Sequence, residues 1–183
     1  MAQCPDSRIG SEHVVDFDDN LKLVGKTTKP PNFGLIPAIV NLALAVRPGE
    51  AAKHRKAIEF IAATPLEYLD RWQMNNEIFG DDVQLVSMIQ WSDGQISFGI
   101  TQPQYQGVPA EARDIDRFFM EAGWTLLKDP SHHKVFFNYA FQVMAIDAES
   151  RNCYITEDGL QPFDVILCEP DEETERFLRI YPD

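Results

Sequence analysis

The chain has 183 residues, 44% of them hydrophobic, so it can bury a core of its own without disulfides or metals. Its 16 basic and 29 acidic side chains give a formal net charge of -13, which argues against general nucleic-acid binding and against anionic membranes. No apolar run approaches the ~20 residues of a membrane span, and the N-terminus lacks the pattern of a signal peptide. We therefore expect one cytoplasmic domain over residues 1–183, without membrane contact.

Basic side chains are concentrated at the start of the chain. Residues 1–56 hold eight basic and six acidic side chains, whereas the rest holds eight basic and 23 acidic. An anionic ligand is therefore expected near the first third. The three cysteines are odd in number and far apart, which predicts reduced thiols instead of a disulfide framework or a zinc site: Cys4, Cys153 and Cys168.

The first third of the chain predicts a small sheet followed by helix. Residues 12–17 and 21–26 have strand-like composition and flank the polar turn of residues 18–20, which indicates a hairpin. The uncharged stretch 35–46 predicts either a buried helix or irregular core, and the pattern does not decide between them. A helix is predicted from about residue 50 to 62, with the basic residues 53–56 on its polar side.

The next helix has a clear start and end. Thr64 precedes Glu67 by three residues and Pro65 follows Thr64, which is the pattern of a capping box with proline at the first helical position. Gly80 predicts the end of the helix. Four residues are expected to face the core: Leu66, Leu69, Trp72 and Phe79.

The second half predicts hairpins around one further helix. Residues 83–90 and 95–101 flank Ser92-Asp93-Gly94 as a hairpin, and Pro103 ends the pairing because proline has no amide donor. An amphipathic helix is predicted from Pro109 to Ala122, closed by Gly123. Short strands are then expected at 134–140, 143–146, 153–156 and 161–166, and an acidic helix at 171–179.

Three common motifs do not fit the sequence. Val24-Gly25-Lys26-Thr27 resembles the end of a phosphate-binding P-loop, but Asn20 stands where that motif has its first glycine, and the residues between read as a strand. The segment 94–99 has one residue too many for the nucleophile elbow of a serine hydrolase. The adjacent His132 and His133 would point to different sides and predict a solvated turn instead of a metal site.

A more specific pattern lies near the C-terminus. Asp147 directly follows an apolar strand, Asn152 comes five positions later, and Asp164 lies twelve residues beyond, across a predicted hairpin. Phosphoryl transfer uses such a set: one carboxylate near the attacking hydroxyl, and an amide oxygen and a second carboxylate that hold magnesium against the phosphates. The same residue types are also ordinary in loops and caps, so the pattern alone leaves both interpretations open.

The segments 143–152 and 156–164 together resemble the catalytic loop and metal-binding hairpin of protein-kinase-like domains. The likeness is to the small kinase-like domains described in polyvalent proteins of bacterial mobile elements and phages. It runs through most of the chain, with residues 10–15 and 24–26 resembling the start and the lysine-bearing strand of the N-terminal lobe. The resemblance implies an α+β fold with a small N-terminal sheet lobe (1–101), a hinge near Gln102-Pro103, and a truncated C-terminal lobe (104–183).

The resemblance also implies roles for individual residues. Asp147 matches the catalytic base, and Asn152 and Asp164 match the magnesium ligands. Nucleotide binding falls to Lys26, the phosphate-contacting lysine, to its carboxylate partner Glu67, with Glu77 as the alternative, and to Gly10, the remnant of the glycine-rich loop. ATP and magnesium are the implied cofactors.

Departures from the family pattern leave two functions open. Val165 follows Phe163-Asp164, so the usual Asp-Phe-Gly is absent, and Ile146 stands where many kinases have arginine. The chain given ends 19 residues after Asp164, which leaves no platform for a protein substrate. One expectation is an ATP- and magnesium-dependent phosphotransferase, and the alternative is an inactive binding or interaction domain with a protein partner.

Overall fold

The computed structural model describes residues 8–9, 12–44 and 53–180. Its elements follow one another as β1 (Arg8–Ile9), β2 (His13–Asp18), β3 (Leu23–Thr28), β4 (Leu35–Leu44), β5 (Lys53–Ala62), α1 (Pro65–Phe79), β6 (Gln84–Gln90), β7 (Ile96–Pro103), β8 (Val108–Pro109), α2 (Ala112–Glu121), β9 (Thr125–Lys128), β10 (Lys134–Asn138), β11 (Val143–Ile146), β12 (Cys153–Thr156), β13 (Gly159–Pro162), β14 (Ile166–Cys168) and α3 (Glu172–Leu178).

The expected fold class is wrong. Strands make up 45% and helices 20% of the described residues, and the strands form four small antiparallel sheets, so the chain is mostly β and not a kinase-like α+β arrangement of two lobes. The physical reason lies in the segments between the sequence motifs. Residues 53–62, expected to be helical, pair with residues 35–44 as a β-hairpin, and the remaining strands form sheets with no two-lobed arrangement.

The largest sheet has the strand order β1-β2-β3-β7-β6. The predicted hairpins at 12–26 and 83–101 form its β2–β3 and β6–β7 pairs, and β3 pairs with β7 in the middle of the sheet. One face is covered by α1, whose Tyr68 and Trp72 pack with Phe98 and Ile100 of β7. Apolar burial between one helix and one sheet face therefore holds this half together.

The segment between β3 and α1 is a long β-hairpin. β4 and β5 pair over ten residues each, from Leu35 opposite Ala62 to Leu44 opposite Lys53. The helix expected at 50–62 is therefore wrong for residues 53–62, and residues 50–52 lie outside the described residues. Neither alternative for the 35–46 stretch holds, because residues 35–44 form a strand.

The second half is organised on both faces of the sheet β14-β11-β10-β9. Consecutive residues of β10 alternate between the two faces, so Phe136 packs with Phe119 of α2 while Phe137 lies in the cluster that contains Ile58 of β5. The Phe119 and Phe136 rings stack at 4.4 Å. Because both faces are covered there, β11 and β14 consist of apolar residues only, and Val135, Phe136 and Phe137 of β10 are fully buried. The three-stranded sheet β13-β12-β8 completes this half.

The predicted start and end of α1 are confirmed. Thr64 accepts from the Glu67 amide at 3.3 Å and the Glu67 carboxylate accepts from the Thr64 amide at 2.7 Å, which completes the capping box. Gly80 ends the helix in the left-handed region at φ 65°, where glycine carries no side-chain penalty. The expected helix at 109–122 is also present, although it begins at Ala112.

Removing the N-terminal cap of α1 tests this local account. We expect Thr64→Ala to lower the free energy of unfolding by about 1 kcal/mol, because the Glu67 amide of the first turn loses its side-chain acceptor. Urea unfolding followed by circular dichroism measures the change. Ser92→Ala in the exposed β6–β7 turn serves as the control and should stay within about 0.5 kcal/mol of wild type. Equal effects of the two variants would contradict the capping role.

Candidate functional site

A cleft with two ends runs between the first sheet and the loops that follow β11 and β13. Its aromatic end has a volume of about 580 Å³ and its polar end about 490 Å³. Val15, Lys26 and Asp164 line both ends, so the two cavities adjoin at these residues. The expected anion-binding lysine thus lies where an apolar pocket becomes a charged one.

Asp164 is the charged centre of the cleft. Its Oδ1 lies 3.2 Å from Lys26 Nζ on β3 and 3.2 Å from an Arg71 guanidinium nitrogen on α1. Arg71 also donates to the Asp164 carbonyl oxygen at 3.2 Å. Burial alone would raise the pKa of Asp164, but the charges of Lys26 and Arg71 outweigh it and hold the pKa below its ordinary value. Asp164 is therefore ionised and fixed by two cations.

Arg71 connects Asp164 to Glu12, the residue that precedes β2. Its guanidinium donates to the Glu12 carboxylate at 2.8 Å, and its side chain is only 4% exposed. Next to Glu12, His13 shares a hydrogen bond of 3.0 Å with the Tyr68 hydroxyl. Burial lowers the pKa of His13 to about 3, with Lys26 and Arg71 adding to the effect, so its ring is neutral at pH 7.

Asp147 and Asn152 meet at the far side of the polar end. Asn152 Nδ2 donates to Asp147 Oδ2 at 2.9 Å and to the Asp147 carbonyl at 2.8 Å, which closes the loop between β11 and β12. Arg151 forms an ion pair with the same carboxylate. Burial raises the pKa of Asp147 above its ordinary value, although Arg151 and Asn152 oppose the shift. Asp147 has φ 64°, a left-handed conformation that this side-chain network stabilises.

The aromatic end is lined by side chains from β2, β3, β12, the end of β7 and the loops that follow β7 and β13. Tyr154 and Phe163 pack edge to face at 4.8 Å, and Tyr105 lies 5.9 Å from Phe163. Gln102 Nε2 donates to the Phe163 carbonyl at 3.1 Å, while its Oε1 is buried and has no hydrogen-bond partner in the part of the chain that the structure describes. A planar apolar ligand with one donor group fits this end.

A buried carboxylate supports the wall of the aromatic end. Asp81, fully buried just after the end of α1, accepts a 2.7 Å hydrogen bond from the Tyr105 hydroxyl. Burial raises the pKa of Asp81 to about 7, against the opposing effects of Tyr105 and Lys26. Its second oxygen, Oδ2, is buried and has no hydrogen-bond partner in the described residues. This carboxylate therefore costs folding free energy when it is ionised.

Four of the six predicted site residues line one cavity. Lys26, Asp147, Asn152 and Asp164 all face the polar end, although they come from three separate parts of the chain. Glu67 lies elsewhere, in the capping box of α1, and the ion pair that the structure gives Lys26 is with Asp164. The alternative partner, Glu77, accepts a hydrogen bond from Gln73. Gly10 lies outside the described residues.

Arg71 is the site residue that the sequence patterns missed. Of the residues expected to face the core, Trp72 is buried, Leu69 and Phe79 pack partly buried against core clusters, and Leu66 is exposed. The fully buried residues of α1 are Tyr68, Arg71, Trp72 and Asn75. These four positions have the i, i+3, i+4, i+7 spacing of one helix face. Arg71 and Asn75 lie on the same helix face as Trp72, and two polar residues on an otherwise apolar face are the sequence signal that could have identified Arg71. Glu12 and Asp81 carried no comparable signal, because their roles depend on contacts across the fold.

The donor set limits which cation the site suits. Among the described residues, no group of three or more histidine, cysteine, aspartate or glutamate side chains is placed to hold a metal ion. Asp164 Oδ2 and Asn152 Oδ1 nevertheless make no hydrogen bond within that part of the chain. Magnesium needs only one or two protein oxygens when phosphates and water complete its shell. The residues present fit a magnesium ion that arrives with a phosphate ligand.

Comparison with known proteins yields no relative: no protein family, curated protein or solved structure matches the chain. None of the helices in the described ranges has the length and apolar character that crossing a membrane requires.

The buried Asp81 generates a prediction about pH. Its pKa of about 7 in the folded state, against 3.8 ordinarily, means that the folded chain keeps a proton that the unfolded chain releases. Stability should therefore fall as pH rises from about 4 to 7. We expect Asp81→Asn, which still accepts from Tyr105, to unfold at a higher temperature than wild type at pH 8, with a smaller difference at pH 5.

The control for this experiment is Asp93→Asn in an exposed turn, whose melting temperature should follow the wild-type pH profile. Thermal unfolding at a series of pH values measures both variants. A difference between Asp81→Asn and wild type that is the same at pH 5 and pH 8 would contradict the assignment.

Proposed function

We propose that the cleft binds ATP together with magnesium and that the chain transfers the terminal phosphoryl group to an acceptor hydroxyl. One observation carries the proposal: Lys26, Asp147, Asn152 and Asp164 converge on the polar end of a cleft whose other end is aromatic. Phosphoryl transfer depends mainly on positioning and charge stabilisation, so these residue types in one cavity are what the chemistry requires.

The aromatic end supports the placement of the adenine ring. Its Tyr105, Tyr154 and Phe163 rings and the Val24 side chain offer an apolar slot for a flat base. Gln102 Oε1 is a buried acceptor without a partner, and the exocyclic amine of adenine is a donor. This oxygen is closed off from the cavity, so the Gln102 amide would have to turn before the base could pair with the atom that the described residues leave unpaired.

The polar end supports the placement of the phosphates. It is lined by the cations Lys26, Arg71 and Arg151 and by the anions Glu12, Asp147 and Asp164, so its formal charge is zero in a chain of net charge -13. Lys26 Nζ is buried 3.2 Å from Asp164 Oδ1 and 5.0 Å from the centroid of the Trp72 ring, and its remaining protons would have to turn toward an incoming anion. The magnesium complex of a triphosphate keeps a net negative charge, so the three cations of this pocket would have to offset it.

Asp164 and Asn152 would hold the magnesium ion through Oδ2 and Oδ1, the two oxygens that the described contacts leave unused. When bound, magnesium neutralises charge on the phosphate oxygens. The protein's part is to keep both ligands in place. Lys26 and Arg71 fix the Asp164 carboxylate, and the hydrogen bonds to Asp147 fix the Asn152 amide.

Asp147 would accept the proton of the acceptor hydroxyl. Its pKa is raised by burial, which makes it a stronger base than an exposed aspartate. Arg151 and Asn152 hold the carboxylate in one orientation, so the base is positioned before the acceptor arrives. Transfer requires Arg151, which is well exposed, to leave one carboxylate oxygen accessible.

Binding without turnover is the second candidate function. The observation that favours it is the full engagement of the Asp147 carboxylate, with Arg151 on one oxygen and Asn152 on the other. In that case the chain would bind the nucleotide without reaction, and a protein partner would recognise the nucleotide-bound cleft. The two candidates share the ligand and differ only in whether Asp147 is available.

Nucleotide binding is tested by thermal unfolding with ATP, magnesium or both. We expect millimolar MgATP to raise the wild-type melting temperature more than either component alone. Lys26→Met should lose this shift, and Asp164→Asn should lose the part that needs magnesium. Lys134→Met and Asp116→Asn, which break an ion pair of 2.6 Å outside the cleft, should keep it. No magnesium-dependent shift in wild type would contradict the proposal and leave an interaction domain.

Turnover is tested separately with Asp147→Asn. We expect this variant to keep the MgATP-dependent thermal shift and to slow ATP hydrolysis or transfer on the order of 10²–10⁴-fold, because a positioned base is lost. Release of ADP, measured with a coupled assay, gives the rate. Hydrolysis at the wild-type rate would show that Asp147 is not the base, and a bound nucleotide with no wild-type turnover would support the second candidate.

A further inference from the structure

One buried carboxylate beside the cleft has no part in the proposed reaction. Asp81 follows the end of α1 and is fully buried. Its Oδ1 accepts from the Tyr105 hydroxyl at 2.7 Å, and its Oδ2 is buried with no hydrogen-bond partner in the described ranges. A buried carboxylate with an unused oxygen is costly to ionise, so this group is sensitive to any charge that is added nearby.

Tyr105 connects this carboxylate to the cavity. It lies in the segment 104–107 that follows β7, and its ring lines the aromatic end, 5.9 Å from the Phe163 ring. Among the described residues, the Tyr105 hydroxyl has no hydrogen-bond partner other than the carboxylate and the carbonyl of Asp81. Asp81 therefore fixes the orientation of a ring that forms part of the cavity wall.

The charged centre of the cleft acts on the same carboxylate. Burial raises the pKa of Asp81 to about 7, Lys26 and Arg71 lower it, and Asp164 raises it. The titratable groups that act on Asp81 come from four parts of the chain: Lys26 of β3, Arg71 of α1, Tyr105 of the segment 104–107, and Asp164 of the loop between β13 and β14. The next residue, Asp82, acts on Tyr105. The ionisation of Asp81 thus depends on the charges that line the cleft.

We propose that Asp81 is a positioning residue of the cleft, which holds Tyr105 in the wall of the aromatic end and takes up a proton when an anion binds beside Lys26. The place of the anion rests on the proposed function. An anion there offsets the Lys26 charge that favours ionised Asp81, as Asp164 already does, and so favours the protonated carboxyl.

The coupling acts in both directions. Because the proton and the anion favour each other by the same factor, the cleft should bind phosphate more tightly as the pH falls through about 7. A protonated carboxyl still has an oxygen that accepts from the Tyr105 hydroxyl. The proton therefore changes the affinity for the anion and leaves the cavity wall in place.

The charge coupling is tested first without nucleotide. Carbon-13 NMR of a chain labelled at the aspartate carboxyls gives the titration midpoint of Asp81, with Asp81→Asn to assign the signal. We expect Lys26→Met to raise this midpoint, because a cation is lost, and Asp164→Asn to lower it, because an anion is lost. Lys134→Met removes a cation outside the cleft and should leave the midpoint unchanged.

The anion is then supplied in two forms, MgATP and inorganic triphosphate with magnesium, which lacks the base. Both should raise the midpoint of Asp81 in the wild-type chain. A rise of about one unit corresponds to binding that approaches tenfold tighter below the midpoint than above it. Titration calorimetry from about pH 6 to about pH 8.5 measures this ratio.

Variants separate the proton on Asp81 from other titrations. Asp81→Asn still accepts from Tyr105 but cannot titrate, so its affinity should change less over this pH range. Asp93→Asn in the exposed β6–β7 turn should keep the wild-type profile. The titration of the ligand itself is common to all variants, and His13, with a pKa of about 3, stays neutral throughout. Tyr105→Phe keeps the ring and should raise the midpoint of Asp81, because a hydrogen bond that favours the charged carboxylate is lost.

Three results would overturn the proposal: an Asp81 midpoint that Lys26→Met leaves unchanged, a midpoint that neither anion raises, or an Asp81→Asn affinity with the wild-type dependence on pH. A magnesium-dependent thermal shift with ATP would leave the proposed function in place in each of these cases. If inorganic triphosphate raises the midpoint and MgATP does not, the proposed adenine site is wrong and the role of Asp81 stands.

Discussion

The ionised Asp164 between Lys26 and Arg71 is the constraint on which the rest of the structure depends. It joins the middle strand of the largest sheet, the helix that covers that sheet, and the loop between β13 and β14. Arg71 extends the network to Glu12 at the start of β2. Loss of the Asp164 carboxylate would leave the buried Lys26 without its ion-pair partner, whereas Arg71 would keep Glu12. The two halves of the chain are therefore held in register by charges as well as by apolar packing.

The parts of the fold that follow from the sequence are those whose signals are local. A capping box, a glycine at a left-handed helix end and an Asp-Gly turn each act within a few residues, and α1 and the two hairpins of the first sheet appear where they indicate. The β4–β5 hairpin has no such signal. Its strands are specified by pairing with each other across the segment 45–52, and a basic run beside alanine reads equally well as an exposed helix face.

The candidate site shows the same division. Residue types near strand ends identified Asp147, Asn152 and Asp164, because carboxylates and amides after apolar strands are recognisable from the letters alone. The partner of Lys26 was not recognisable in this way. A helix glutamate was expected, but the helix contributes an arginine and the carboxylate comes from a loop nearly 140 residues after the lysine. The helix therefore places a positive charge near Lys26 where a negative one was expected, and this is visible only in the tertiary contacts.

The β4–β5 hairpin, which the sequence patterns did not predict, also forms part of the cleft. Leu35 of β4 and Phe60 of β5 line the polar end beside Asp147. The hairpin is held in place there by the Ile58 amide, which donates to Ser131 Oγ at 2.9 Å, and by edge-to-face packing of Phe60 on His133 at 5.4 Å. An acceptor bound beside Asp147 would lie in the same cavity as these apolar side chains. In the proposed reaction the hairpin thus limits the size and polarity of the acceptor, while Asp164 and its two cations fix the phosphates.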